Sequence, residues 1–257
     1  MRLRGRTAAI AACALAALAV LAAGSAQAGA VADTRPVRPA SAAGPLGDER
    51  LSDEERVSRW ANAVLRATVH RQPSASSPLA GRLRLQTEDG PLEVYLVLAS
   101  RLDAAGRLWA RVRLPGRPNG RTGWVLRDGL GDLHVVRTKL RVNRATLRAT
   151  LYRDGRKVWS SPVGVGKPAT PTPGGRFWIR TRLRNLGGGA IYGPLAFGTG
   201  AYSVLSDWPG GGVVGIHGTD EPALIPGRPS HGCVRVPNDR IRLLAGLMPI
   251  GTPVEII

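Results

Sequence analysis

A short stretch near the C-terminus contains the side chains best suited to nucleophilic chemistry. Cys233 lies two residues after His231 and sixteen residues after His217. A thiol attacks as a thiolate, and its ordinary pKa is about 8.5, so it needs a neighbouring imidazole to take the proton and stabilise the charge that forms. The stretch therefore predicts a cysteine nucleophile activated by a histidine base.

The two histidines would reach the sulfur by different routes. His231 shares a face with Cys233 if the chain is extended there, whereas His217 ends a separate apolar strand and approaches only through the fold. Gly232 lets a substrate come close to the backbone, and the N–H groups around Gly232 and Cys233 can stabilise an oxyanion. Arg235 can hold the loop or a carboxylate.

Two other uses of these residues remain open. A free cysteine commonly packs as a small buried hydrophobic residue. His217, His231 and Cys233 are also zinc-ligand types, but a clear fourth ligand is missing. The number of reactive neighbours favours the nucleophile, for which no metal or organic cofactor is expected.

The N-terminus has the three parts of a secretory signal peptide. Three early arginines precede the uncharged run Ala8–Ala23, and Ala26-Gln27-Ala28 is a small-residue cleavage site. We expect removal of residues 1–28; an uncleaved anchor is the alternative, although a membrane span needs ~20 apolar residues. Cleavage also removes Cys13 and leaves Cys233 as the one thiol, in an exported protein with no stable membrane span.

Composition then changes twice before the final segment. Residues 29–50 are rich in Ala, Pro, Gly and Arg and predict a flexible linker. Residues 51–65 carry apolar side chains at helical spacing behind a capping serine, and predict a helix. Residues 66–130 alternate short apolar runs with turns and predict a small all-β barrel.

The final segment, residues 134–257, is also predicted to be rich in strands. Asp154-Gly155 indicates a hairpin turn, and Asn238 can cap one short helix from Asp239 to about Gly246. Many strands with a single helix favour a sandwich-like packing over an alternating α/β fold. The predicted fold class is therefore mostly β.

The residues around the cysteine resemble the signature of a known enzyme family. The two parts of the motif are His217-Gly218-Thr219 and Ser230-His231-Gly232-Cys233-Val234-Arg235. With them, residues 134–257 are similar to the L,D-transpeptidase catalytic domain, the YkuD family. Leu108–Leu114 and Asn119–Val125 resemble strands of a bacterial SH3-like domain, a module that often binds peptidoglycan or peptides. Together these resemblances imply a small SH3-like barrel followed by a β-sandwich-type catalytic domain.

The resemblance implies a role for each motif residue. Cys233 would attack a peptidoglycan stem peptide to form a thioester, with His217 as general base and His231 in support; an amine would then resolve the thioester into a cross-link. The carbonyl of Gly218 would orient the base. It also implies that certain β-lactams acylate the cysteine. Five residues would shape the substrate and oxyanion pocket: Gly218, Thr219, Ser230, Gly232 and Arg235.

The net charge and the predicted export limit the classes of partner that we expect. The formal charge is +18 and comes almost wholly from arginine, which favours anionic cell-wall polymers as additional partners in the cell envelope. A nucleic-acid binder is disfavoured, because the basic residues form no recognised binding motif and the chain carries a signal peptide. The same site with water as acceptor would be an L,D-carboxypeptidase, and a non-catalytic peptidoglycan-binding protein is the third alternative.

Overall fold

Eighteen β-strands and one α-helix make up most of the regular structure in the described part of the chain. The computed structural model describes residues 47–184, 190–207 and 209–257. The predicted signal peptide, residues 1–28, and residues 29–46 of the predicted linker lie outside the described residues. The prediction of a mostly β fold with one short helix is confirmed for the described part.

Eight antiparallel strands form the first sheet, and the residues that carry it, 49–136, are called the first region. The strands are β1 (Glu49–Arg50), β2 (Ser58–Asn62), β3 (Thr68–His70), β4 (Leu79–Arg82), β5 (Val94–Leu102), β6 (Leu108–Arg113), β7 (Thr122–Leu126) and β8 (His134–Val136). Their order is β4-β3-β7-β6-β5-β2-β8, and β1 pairs with β5.

Alternate side chains of these strands fill the interior of the first region, as expected where one face of a sheet is buried. Its largest apolar cluster includes Val69, Tyr95, Val97, Val112 and Val125. Trp109 and Trp124 are also buried, with 1% and 5% of their surface exposed. Neither tryptophan therefore offers an exposed aromatic face for binding.

The helix predicted for residues 51–65 is wrong. The segment is a loop followed by β2, which pairs with β5. The Asp53 carboxylate accepts three successive N–H groups, those of residues 55 to 57, and Glu54 has a φ of +59°. The Ser52 hydroxyl, predicted to cap a helix, donates to the Val97 carbonyl across the sheet. These bonds close a turn where the first helical turn would have formed.

Two predicted boundaries also differ. Strand β1, assigned to the linker at residues 29–50, pairs with β5, and β8, assigned to residues 134–257, pairs with β2. The residues that form the first sheet therefore extend beyond the predicted range 66–130 in both directions along the chain. Long-range strand pairing decides these boundaries, and composition does not report it.

Ten strands form the second sheet, and residues 138–257 are called the second region. The strands are β9 (Thr138–Asn143), β10 (Arg148–Arg153), β11 (Arg156–Pro162), β12 (Gly164–Gly166), β13 (Gly175–Arg184), β14 (Leu195–Tyr202), β15 (Val213–His217), β16 (Gly227–Ser230), β17 (Val234–Arg235) and β18 (Pro253–Ile256). Their order is β11-β10-β9-β18-β13-β14-β15-β17-β12-β16. The predicted Asp154-Gly155 hairpin joins β10 to β11 and is confirmed.

One apolar core joins both ends of this ten-stranded path. It contains Leu151 and Trp159 from β10 and β11, Val234 and Val165 from β17 and β12, and Leu244 of the helix α1 (Asn238–Leu247). The core therefore extends across the sheet from β11 to β12 and includes the helix. A large sheet with one apolar core agrees with the mostly β fold that the strand content predicts.

Buried polar contacts join the two sheets, which belong to one compact unit, Ala43–Ile257. The Trp178 indole donates to the Val94 carbonyl at 2.7 Å. Arg180, 2% exposed, forms salt bridges with Glu88 and with the fully buried Glu93. Because a buried charge is costly without a partner, these contacts link the stability of one sheet to the other.

The loop between β6 and β7 makes a second set of contacts between the regions. Asn119 exchanges two hydrogen bonds with the backbone of Tyr202, at 2.8 and 2.9 Å. The Arg117 guanidinium donates to the carbonyls of Ser203, Leu205 and Gly211. The first region therefore braces the segment that follows β14.

Short 3-10 turns complete the described structure at Arg127–Gly129, Ala190–Tyr192, Pro209–Gly212 and Pro222–Leu224. None of the helices in the described part has the length and hydrophobicity that crossing a bilayer requires.

Candidate active site

Strand pairing brings the predicted base beside the predicted nucleophile. Strand β15 ends at His217, and β17 begins directly after Cys233. The two strands are parallel, with Ile216 opposite Val234. One residue earlier on each, the Gly215 N–H donates to the Cys233 Sγ at 3.3 Å. The sixteen intervening residues thus return the chain to the same edge of the sheet.

Gly215 leaves the space between the two reactive groups open. A Cβ on this residue would lie 3.6 Å from His217 Cδ2 and 3.8 Å from Cys233 Sγ. Imidazole and thiol therefore border the same small volume. A substrate carbonyl can occupy that volume because no side chain fills it.

The hydrogen bond of the His217 ring fixes its tautomer. His217 Nδ1 lies 2.6 Å from the Gly218 carbonyl oxygen. A carbonyl can only accept, so Nδ1 carries a proton, and in the neutral ring Nε2 keeps its lone pair. The ring is 4% exposed, and the Tyr192 ring packs edge-on against it at 5.0 Å between centroids. The His217 ring is thus held in place by the Gly218 carbonyl and the Tyr192 ring.

Burial keeps both members of the pair uncharged. Burial lowers the pKa of His217 to about 4, although the Gly218 carbonyl favours the charged ring. Burial likewise raises the pKa of the Cys233 thiol, although the Gly215 N–H and the Arg235 charge oppose this. At neutral pH the resting site therefore contains a neutral thiol and a neutral imidazole.

A cavity of about 210 Å³ opens onto the pair. Cys233 itself is partly exposed, so a substrate can reach it. The cavity walls come from β13, β14, β15, the cysteine loop and three connections: Asp89, Leu183, Tyr192, Ala196, Phe197, Gly198, Gly210, Val213, Gly215, His217 and Cys233.

Two predicted site residues shape the loop before the cysteine. The buried Ser230 hydroxyl donates to the Cys233 carbonyl at 2.6 Å and accepts the Gly232 N–H at 3.2 Å. Gly232 has a φ of +125°, which residues with a side chain rarely adopt. Ser203, from the segment after β14, donates to the His231 carbonyl at 3.1 Å. The loop is therefore held from inside and from the neighbouring segment.

The residues after His217 are fixed by a side chain that the sequence assigned elsewhere. Asn238 accepts the Thr219 N–H at 2.9 Å and donates to the Thr219 carbonyl at 2.8 Å. The prediction that Asn238 caps the helix is wrong, since Pro237 occupies the cap position. Its amide also lies where a side chain on Gly218 would need to be, at 2.3 Å from the Cβ position.

Arg235 and His231 lie outside the cavity. Arg235 is 9% exposed and pairs with Glu221, so it buttresses the strand after the cysteine. The side chain of His231 is exposed and is not among the residues that line the cavity. Of the two motif histidines, His217 alone has its ring in the cavity wall.

Several site residues could not be found from the sequence. Tyr192, Ser203 and Asn238 contact the motif from other elements, and Asp89 comes from the first region. None carries a local signal, apart from the turn composition around Asn238. No group of three or more His, Cys, Asp or Glu side chains that could bind a metal occurs among the described residues.

Comparison with known proteins places the second region in a family. The family model of the L,D-transpeptidase catalytic domain, YkuD, matches residues 137–256. The YkuD protein of Bacillus subtilis is 35% identical over 128 residues, 50% of this chain and 71% of the relative. That of Bacillus licheniformis is 38% identical over 125 residues, 49% of this chain and 67% of the relative. Both bear the name of L,D-transpeptidases.

A solved Enterococcus faecium L,D-transpeptidase is 26% identical, with a TM-score of 0.37. The match covers 47% of this chain and 49% of that one, about half of each. The class of enzyme that the family model and the two Bacillus relatives define is the L,D-transpeptidase. The chain belongs to the YkuD family of these enzymes, and its first region lies outside the residues that the family model matches.

Proposed function

We propose that the protein is an exported cysteine transpeptidase that joins peptidoglycan stem peptides. The observation that carries the proposal is the proximity of Cys233 to a buried, neutral His217 ring that donates Nδ1–H to Gly218 and therefore keeps Nε2 unprotonated. A thiol and an available base in one accessible cavity are the minimum that acyl transfer through a thioester requires.

The first half of the reaction forms the acyl-enzyme. His217 Nε2 takes the Cys233 proton as the sulfur attacks the stem-peptide carbonyl. The Cys233 N–H is proposed to stabilise the resulting oxyanion, because the Gly232 N–H is already held by Ser230. The carbon–nitrogen bond of the donor breaks, and the imidazolium gives its proton to the departing amine.

The second half reverses these roles. An acceptor amine attacks the thioester carbonyl, and His217 takes a proton from its nitrogen. The carbon–sulfur bond breaks, a new amide forms, and the proton returns to the sulfur. His231, Thr219, Ser230 and Arg235 support this chemistry by holding the loops. No metal or organic cofactor enters either half.

The first region is proposed to be an SH3-like module that helps to hold the enzyme on the wall. Its antiparallel sheet and apolar interior support this, with residues 66–130 as the centre of the module. Since Trp109 and Trp124 are buried, the binding surface must use other side chains. The arginine excess supports attraction to anionic wall polymers, and high salt should then release the protein from isolated walls.

Residues 1–28 are proposed to direct export to the cell envelope, with residues 29–46 as a tether. A cleaved N-terminus at residue 29 of protein recovered from the producing cells would support this. Recovery of the intact chain from the cytosol would contradict it.

The proposed reaction is tested with a purified tetrapeptide donor and an amine acceptor. We expect the wild-type protein to yield a cross-linked product and a thioester adduct on Cys233, detected by mass spectrometry. Cys233→Ala should yield neither, while a carbapenem should acylate the wild type at the same residue. Cross-linking by Cys233→Ala at the wild-type rate would refute the proposal.

A further inference from the structure

The first region places a carboxylate in the wall of the catalytic cavity. Asp89, in the connection between β4 and β5, lines the cavity together with His217 and Cys233. Its Oδ2 lies 3.9 Å from the Cβ position of Gly198, which pairs with Gly215 in the sheet. This residue lies outside the residues matched by the family model, 137–256.

The Asp89 carboxylate is available to bind a cationic group. Among the described residues, no side chain or backbone group forms a hydrogen bond or salt bridge with its carboxylate. Burial and the nearby Glu88 raise its pKa, whereas Arg180 opposes this. A carboxylate whose charge is not compensated by a close partner attracts an ammonium group.

A second cavity, of about 670 Å³, adjoins the first and shares Gly210 with it. We call it the basic cavity. Its lining includes Arg82, Arg84, Arg117, Arg121, Glu88 and Gly210. Four of these residues are arginines and one is a glutamate, so the lining carries an excess of positive charge.

Most of that charge has no carboxylate partner in the described chain. Arg84 pairs with Glu88, but Arg117 and Arg121 donate to main-chain carbonyls, which leaves their charge uncompensated. In the part of the chain that the structure describes, Arg121 Nε is buried without an acceptor, and no hydrogen bond or salt bridge engages the Arg82 guanidinium. Like charges gathered around one cavity favour an anion, and guanidinium groups match carboxylates especially well.

We infer that Asp89 and the basic cavity form the site for the acyl acceptor, and that this site takes a peptide carrying both a free amine and a carboxylate. The amine lies beside Asp89, close to the thioester on Cys233. The carboxylate lies across Gly210, near Arg82. The inference rests on the proposed function, since an acceptor matters only after Cys233 is acylated.

The acceptor amine loses two protons at this site, one to Asp89 and one to His217. The acceptor arrives as an ammonium ion and gives one proton to the Asp89 carboxylate, which returns it to water after product release. The neutral amine attacks the thioester, gives its second proton to His217, and displaces the sulfur, which recovers that proton. No oxidant, reductant or further reactant is needed.

Triglycine and triglycinamide provide matched acceptor probes. Both carry the same amine, but only triglycine carries a carboxylate, and a fully extended tripeptide reaches about 10 Å. The fate of a preformed acyl-enzyme is followed by mass spectrometry, as transfer to the peptide or hydrolysis by water. Rates are compared between variants for each probe, so that the intrinsic reactivity of the two amines cancels.

Asp89→Asn should raise the KM for both probes about tenfold, the scale of one charge-assisted hydrogen bond. The change in acceptor KM should exceed any change in the rates of acylation by the donor and of hydrolysis. The control Asp132→Asn removes the same charge from an exposed side chain outside both cavities and should change nothing. An unchanged KM in Asp89→Asn would overturn the inference.

Arg82→Glu should raise the KM for triglycine about tenfold and leave that for triglycinamide unchanged or lower. The control Arg156→Glu makes the same change at an exposed arginine of the β10–β11 hairpin, outside the basic cavity. Equal effects of Arg82→Glu on both probes, or no effect, would overturn the inference.

Failure of the proposed function is distinguishable from failure of the site. If no donor acylates Cys233, the proposed function fails, and triglycine binding to the resting protein is then measured by NMR titration. Weaker binding in both Asp89→Asn and Arg82→Glu, with the controls unchanged, would still support the site. Normal acylation with unaltered acceptor discrimination would reject the site alone.

Discussion

The junction between the two sheets and the catalytic cavity both bury ionisable side chains, but they treat charge in opposite ways. At the junction, burial alone would raise the pKa of Glu88, yet the Arg180 charge and the Tyr202 hydroxyl bring it down to about 2. In the cavity, burial prevails: the pKa of His217 falls to about 4, and that of Cys233 rises.

The difference follows from the partners that each group is given. Arg180 reaches two carboxylates, so its charge and theirs compensate one another. His217 reaches a carbonyl, and the thiol of Cys233 reaches an N–H group, neither of which fully replaces water around an ion. Charged pairs fix the junction, whereas a neutral pair in the cavity can exchange a proton when a substrate arrives.

The largest effect is expected at the base. His217→Gln should slow carbapenem acylation of Cys233 about a thousandfold, the usual scale for loss of a general base. His231→Gln is the matched control and should slow it only a few-fold, because the His231 ring does not line the cavity. Stopped-flow or mass-spectrometric acylation rates would decide, and the reverse ranking of the two variants would exchange the roles of the histidines.

The next largest effect is expected at the junction. Arg180→Met should lower the free energy of unfolding by about 3 kcal/mol, because it leaves the buried Glu93 without its main partner. The exposed Arg156→Met should change it by less than about 0.5 kcal/mol. Urea denaturation measures both, and equal effects of the two variants would show that the junction charges do not stabilise the fold.

Lowering the pH should reduce the contribution of the junction to the free energy of unfolding. Because the pKa of Glu88 is depressed from 4.5 to about 2 in the folded protein, its contribution is fully present above about pH 4.5. That contribution is lost as the pH falls from 4.5 towards 2, and we expect it to be on the order of 2 kcal/mol. Glu88→Gln should flatten the dependence of unfolding free energy on pH in this window. A wild-type curve that is already flat there would contradict the account.

The smallest effect is expected at a loop contact. Ser203→Ala removes the hydrogen bond to the His231 carbonyl. It should lower the free energy of unfolding by about 1 kcal/mol and slow the acylation of Cys233 a few-fold. Ser206→Ala, in the same segment but without a hydrogen bond to the cysteine loop, is the control. If both variants acylate at the wild-type rate, the Ser203 contact does not position the loop.

The core of the site was predictable because its signal is local. A thiol, two imidazoles and several glycines lie within nineteen residues, and the assignment of His217 to a strand end already separated it from His231. The hairpin at Asp154-Gly155 was predictable for the same reason. Its two residues adopt the positive φ values, 50° and 78°, that their types tolerate.

The errors arose where a side chain bonds far from its own place in the sequence. Ser52 was predicted to cap a helix, but its hydroxyl reaches Val97 on another strand. Asn238 reads as a cap and instead holds Thr219. Asp89 belongs to no recognisable sequence motif, and it lines the cavity only because the two sheets pack together.

The central claim is that the resting site holds a neutral cysteine–histidine pair, and the protonation state of His217 tests it most directly. Nitrogen-15 NMR at pH 7, with His217→Gln used to assign the resonances, distinguishes a protonated Nδ1 and bare Nε2 from an imidazolium. We predict the neutral ring, with Nδ1 protonated and a titration midpoint near pH 4. A ring protonated on both nitrogens at pH 7 would mean a resting thiolate–imidazolium ion pair, and would contradict the account.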